Sequence, residues 1–139
     1  MSLSNGKKVL DFHVTLDAMY SLTPEMPTAD LLRFRQKLIN EECQEVAEAI
    51  ESCIENGEDG IPALAHELAD LLYVTYGAFW AMGVDPDPVF TAVHEANMRK
   101  ASGPRRADGK ILKPEGWQPA DVTAVVNQLK NQAEPSSNN

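Results

Sequence analysis

Between Ile61 and Val84 the chain carries only two charged side chains, Glu67 and Asp70, in a run otherwise dominated by Leu64, Leu68, Leu71, Leu72, Val74, Phe79 and Trp80. Apolar residues at nearly every helical phase leave no polar face for water, so such a helix is expected to lie mostly buried. Two carboxylates inside it are costly to ionise unless a cation or hydrogen bonds meet them. The local sequence supplies no cation. The 61 residues from Leu38 to Met98 contain no Lys or Arg and carry 13 acids, whereas half of the 12 basic residues crowd between Arg99 and Lys113. Solvated helices usually intersperse the two signs, because opposite charges four residues apart help and like charges cost. Segregation on this scale points instead to an acidic centre for a metal ion beside a basic segment for phosphates.

The periodicity predicts an all-α chain. A first helix is expected over Val9–Tyr20, a long one from about Ala29 to Asn56-Gly57, and a third from near Pro62 to Met82-Gly83. Asp85-Pro86 reads as N-cap and first-turn proline of a fourth helix reaching about Lys100. Residues 101–118 form a basic loop rich in Gly and Pro, and Pro119 opens a last helix through about Lys130. No β-alternation persists, and no internal repeat is visible. At 139 residues the chain fits one domain, 1–139, with frayed tails at 1–7 and 133–139.

The net charge of −9 argues against a nucleic-acid partner, whose phosphates need clustered Lys and Arg. No apolar run is long enough to span a membrane, and residues 1–8 show no signal pattern, so the expected location is the cytoplasm. Cys43 and Cys53, ten residues apart on one helix, would stand ~15 Å apart along its axis, too far to bridge. The three histidines show no zinc spacing.

Two acidic motifs remain. Glu41, Glu42 and Glu45 share one side of the long helix, and Glu67 and Asp70, three residues apart, share a face of the next. If the two helices pack antiparallel, their carboxylates gather around one point. An all-oxygen donor set without His or thiolate suits Mg²⁺ or Mn²⁺. The bland alternatives are a solvated acidic stripe, or ion pairs supplied by Arg33, Arg35 or Lys37. Further along, Asn97 and Lys100 share a face near the end of the fourth helix, followed by Arg105, Arg106, Lys110 and Lys113. Trp117 can stack on a base or pack into the fold, and Tyr73, Tyr76, Phe79 and Trp80 read first as core.

Taken in order, Arg33-x4-Leu38-x2-Glu41-Glu42-x2-Glu45, Glu67-x2-Asp70-x2-Tyr73, Asn97-x2-Lys100 and Asp108-Gly109-Lys110 with Lys113-Pro114 resemble the all-α nucleoside triphosphate pyrophosphohydrolases. That superfamily holds the MazG-like proteins, dimeric dUTPases and phosphoribosyl-ATP pyrophosphohydrolases. The stretches around His66–Gly77 and Lys100–Lys110 look most like the MazG-like dUTP pyrophosphohydrolases of deinococci. The resemblance implies a helical bundle completed by dimerisation and cleavage of the α–β phosphoanhydride of a nucleotide, dUTP first. Phosphoribosyl-ATP or a modified nucleotide is the alternative substrate. It further implies that Glu42, Glu45, Glu67 and Asp70 hold the main ion, that Glu41 positions the attacking water or a second ion, and that Asn97, Lys100 and Lys110 bind substrate. The rival from another class is a non-enzymatic helical dimer with an acidic, ion-carrying surface.

Overall fold

The computed structural model describes residues 2–16 and 19–133. Its elements are helices α1 (Asn5–Leu16), α2 (Ala29–Asn56), α3 (Ile61–Ala81), α4 (Pro86–Met98) and α5 (Val122–Ala133), with a single 3-10 turn, Gly57–Gly60, linking α2 to α3. Among the described residues there is no strand, only an isolated antiparallel bridge between Arg105 and Ile111. The all-α expectation is met. Chain contacts divide the molecule into two compact units, Met1–Val84 and Asp85–Asn139.

In the first unit, α2 starts where Thr28 caps it, the hydroxyl accepting the Leu31 N–H at 3.2 Å. It stops at Gly57, whose φ of +64° lets its N–H turn back to the Cys53 carbonyl. The short turn returns α3 along α2, its main packing partner, and α1 crosses α3. The α1–α3 contact is fixed by Trp80, which is buried and donates its indole N–H to the Gly6 carbonyl at 2.8 Å. Val9, Ala81 and Val84 are buried in the same unit, as are His13 and Arg35.

Helix α1 differs from the sequence reading at both ends. It begins at Asn5, taking up residues 5–7 that the sequence left in a tail, because the chain here is anchored by the Trp80 bond to Gly6. It ends at Leu16, and Met19 and Tyr20 are not helical. The segment that follows has a better use for its backbone donors. Ser21 N–H reaches the Trp80 carbonyl, which also accepts the Gly83 N–H, and Glu25 N–H reaches the Met82 carbonyl, the Ser21 and Glu25 bonds both at 2.9 Å, so the end of α3 is tied to this segment. Gly83 allows this close approach: its φ is +68°, and an added Cβ would collide with the Thr23 carbonyl.

Expected burial of α3 also fails along much of its length. Trp80 and Ala81 are buried, whereas Leu68 and Leu72 are exposed, Leu72 to 52%. Within one chain α2 and α1 cover only part of a helix that is apolar nearly all round.

In the second unit Asp85 caps α4, its carboxylate accepting the Asp87 N–H at 3.0 Å. Helix α5 opens at Val122 rather than Pro119, because Asp121 supplies the cap by accepting the Ala124 N–H at 2.9 Å. The loop between them is ordered. Trp117 donates its indole N–H to the Ala96 carbonyl at 2.7 Å, and Gly103 lies so close to the Leu112 carbonyl that a Cβ would strike it. Of the expected tail 133–139, Ala133 closes α5 and the remainder lies outside the described residues.

Candidate metal centre

Antiparallel packing of α2 and α3 brings the two acidic motifs together. Glu42 from α2, with Glu67 and Asp70 from α3, each offer a carboxylate oxygen lying within 4.8 Å of the others'. Glu45, one turn after Glu42, stands against both Glu42 and Glu67. One oxygen of Glu42 and one of Glu67, both Oε2, are shielded from solvent and accept no hydrogen bond. A buried carboxylate oxygen without a donor is destabilising as an anion, and the chemistry of both groups shows it. Burial pushes the Glu42 carboxyl above its ordinary range, helped by proton sharing with Glu45 and by the charges of Glu45, Asp70 and Glu67. Glu67 is raised by burial first, then by Glu45 and Asp70, against a small opposing influence from His66.

The basic residues that might have neutralised this cluster are engaged elsewhere. Arg33 faces Asp30 at 3.5 Å and Lys37 faces Glu41 at 3.9 Å. Arg35 is buried under Gly77, with His13 on the same side and the Met19 carbonyl within reach. Among the described residues no Lys or Arg pairs with Glu42, Glu45, Glu67 or Asp70; the nearest cationic candidate is His66, whose Nε2 lies 3.0 Å from Asp70 Oδ2. A cluster of converging carboxylates, two with donorless buried oxygens and none with a basic partner, fits a hard divalent cation.

Glu41 is not among the three converging residues. It points along α2 into an open groove of about 610 Å³, lined by Arg33, Gln36, Lys37, Asn40 and Glu41 and continuing to Gln44, Glu45 and Glu48. In the second unit Asn97 and Lys100 are neighbours, Lys100 Nζ donating to Asn97 Oδ1 at 2.9 Å. Lys100 Nζ also lies 4.8 Å from the centre of the Trp117 ring, and Lys113 Nζ 5.2 Å. Trp117 is therefore held by its indole N–H and flanked by two lysines. Lys110 contributes backbone: its carbonyl accepts from Arg106 N–H, and its own N–H donates to Asp108, which Arg106 also clasps through Nε at 2.9 Å.

Two features of the site escaped the sequence reading. His66 pairs with a centre carboxylate, and its spacing of four residues from Asp70 is the signal for it. Arg33 and Lys37, weighed only as partners for the acids, line the groove; the i,i+4 row Arg33, Lys37, Glu41, Glu45 pointed there.

Among the described residues no helix is long and apolar enough to cross a membrane. No curated protein matches the chain. A family profile described as phosphoribosyl-ATP pyrophosphohydrolase matches residues 9–97, which take in α2, α3 and nearly all of α4 with every carboxylate of the centre. The chain belongs to the phosphoribosyl-ATP pyrophosphohydrolase family, within the all-α, MazG-like superfamily of nucleotide pyrophosphohydrolases.

Proposed function

We propose that the chain hydrolyses the α–β phosphoanhydride of a (deoxy)nucleoside triphosphate, with dUTP as the first substrate to test, giving a monophosphate and pyrophosphate. The observation that carries this reading is the convergence of Glu42, Glu67 and Asp70 with two donorless buried oxygens, in a chain of a pyrophosphohydrolase family. Glu42, Glu45, Glu67 and Asp70 would hold Mg²⁺ or Mn²⁺. Such a cation supplies positive charge against phosphate oxygens and makes water more acidic. The protein's own groups do the rest. Glu41, which faces the groove it shares with Glu45, would orient from that side the attacking water, whose oxygen bonds to the α-phosphorus. The bridging oxygen keeps the electron pair of the broken P–O bond and leaves with pyrophosphate. The proton released from water passes to the Glu41 carboxylate, or to that of Glu42, and then to solvent. Asn97 and Lys100, bonded to each other, and more weakly Lys110, would contact the substrate's sugar or phosphate.

A second substrate, phosphoribosyl-ATP, is favoured by the family match. The exposed apolar side of α3, around Leu68 and Leu72, supports assembly as a homodimer, and the proposed site of action is the cytoplasm. The test mixes purified protein with Mg²⁺ or Mn²⁺ and a panel of ribo- and deoxynucleoside triphosphates, dUTP and phosphoribosyl-ATP. Pyrophosphate with the matching monophosphate from one of them is the expected result, and silence across the panel in both metals would overturn the reading.

A further inference from the structure

The groove on the outer side of α2 has a use that the carboxylate centre alone does not explain. Its wall is one helix face on which the charges are sorted along the axis. Arg33 and Lys37 lie toward the N-terminus and Glu41, Glu45 and Glu48 toward the C-terminus, with the amides of Gln36, Asn40 and Gln44 interleaved among them. Glu45 belongs to both places: it lines the groove and stands against Glu42 and Glu67. A group bound at the centre therefore has a continuous polar path along α2. At 1.5 Å per residue, Lys37 comes ~12 Å and Arg33 ~18 Å before Glu45 along the axis, and both side chains are long and exposed enough to lean toward the centre, as Lys37 does in reaching Glu41 at 3.9 Å.

Both cations are held loosely. Arg33 is 75% exposed against an Asp30 that is 98% exposed, and Lys37 is 73% exposed with Glu41 at 3.9 Å. Exposed pairs of this kind contribute little, so exchanging a solvated carboxylate for a multiply charged phosphate loses almost nothing.

We propose that Lys37 and Arg33 form the binding site for the leaving pyrophosphate, so that the β and γ phosphates of the substrate run from the carboxylate centre toward the N-terminus of α2. This rests on the phosphoanhydride reading above. In that reaction the electron pair of the broken bond ends on the pyrophosphate, and cations at its far end stabilise the charge it gains. The amides of Gln36 and Asn40 donate to the same oxygens.

The test uses inorganic pyrophosphate as the probe, measured by calorimetry on the full chain in the presence of Mg²⁺. The expected result is that Lys37→Ala with Arg33→Ala weakens pyrophosphate binding at least tenfold, whereas Lys37→Arg stays within about twofold of the parent. Affinity for Mg²⁺ alone and the melting temperature stay unchanged, since both side chains are exposed. Equal pyrophosphate affinity in the parent and the double variant overturns the proposal, and so does failure of the parent to bind pyrophosphate. Loss of Mg²⁺ binding in the double variant overturns it too, by making these residues part of the carboxylate centre. The two readings fail separately. Turnover with Lys37-independent pyrophosphate binding sinks the clamp alone, whereas Lys37-dependent binding without turnover on any nucleotide sinks the reaction alone.

Discussion

Glu42 and Glu67 each keep an oxygen out of water with no donor to meet it, and that cost fixes how the metal-free protein must behave. Both carboxyls are held above their ordinary range, so the folded state binds more protons than the unfolded chain just above that range. Stability contributed by these groups is therefore present at low pH and falls as pH rises from the ordinary carboxylate value through the raised one. In chelator, the Glu42→Gln, Glu67→Gln double variant is expected to melt higher than the parent at pH 7, with the difference shrinking toward pH 4. Calorimetric melting at several pH values checks this; a variant that melts lower at pH 7 would mean the carboxylates are stabilised by something other than a cation. Saturating Mg²⁺ should raise the parent's melting temperature and leave the double variant's unchanged, because a ligand stabilises only the state that holds it. For the reaction, Asp70→Asn or Glu67→Gln should cost at least 10³-fold in kcat with helical content retained, read by steady-state kinetics beside circular dichroism. The acidic residues were legible in the sequence because two charges in an apolar run demand an explanation. The His66–Asp70 pair and the separate heading of Glu41 were not, since they depend on which phase of each helix meets its neighbour.

Caps and turns decide where each element begins, and they explain which boundaries could be read. The ends of α2 and the starts of α3 and α4 follow local chemistry: Thr28, Gly57, Pro62 and Asp85-Pro86 sit where such residues stop or start helices. The limits of helix α1 are not local, because they come from distant partners, the Trp80 indole at Gly6 and the carbonyls of Trp80 and Met82 that hold the following segment. Helix α5 was misjudged because Asp121, not Pro119, supplies the cap. Two substitutions test these devices. Thr28→Ala should cost about 1 kcal/mol of stability by leaving an N-terminal N–H of α2 without its acceptor. Gly83→Ala should cost more, about 2 kcal/mol or above, since a Cβ there meets the Thr23 carbonyl on a backbone of positive φ. Chemical denaturation of the two variants ranks them, and a Gly83→Ala protein as stable as the parent would contradict the close packing of residues 21–25 on the end of α3.

For the molecule as a whole, the unexplained feature is apolar surface. Leu68, Leu72 and Tyr73 are all exposed on α3, in a helix whose composition predicts burial. A second copy covering this side would account for it. Sedimentation should give twice the chain mass, and Leu68→Glu with Leu72→Glu should reduce it to one; a parent already monomeric at micromolar concentration would leave the apolar side unexplained. The most direct test of the central claim lies in the products. With Mg²⁺ and a cleavable nucleoside triphosphate in ¹⁸O-labelled water, the account predicts monophosphate carrying the label, unlabelled pyrophosphate, and neither product from Glu67→Gln. Diphosphate with labelled inorganic phosphate, or equal turnover by Glu67→Gln, would contradict it.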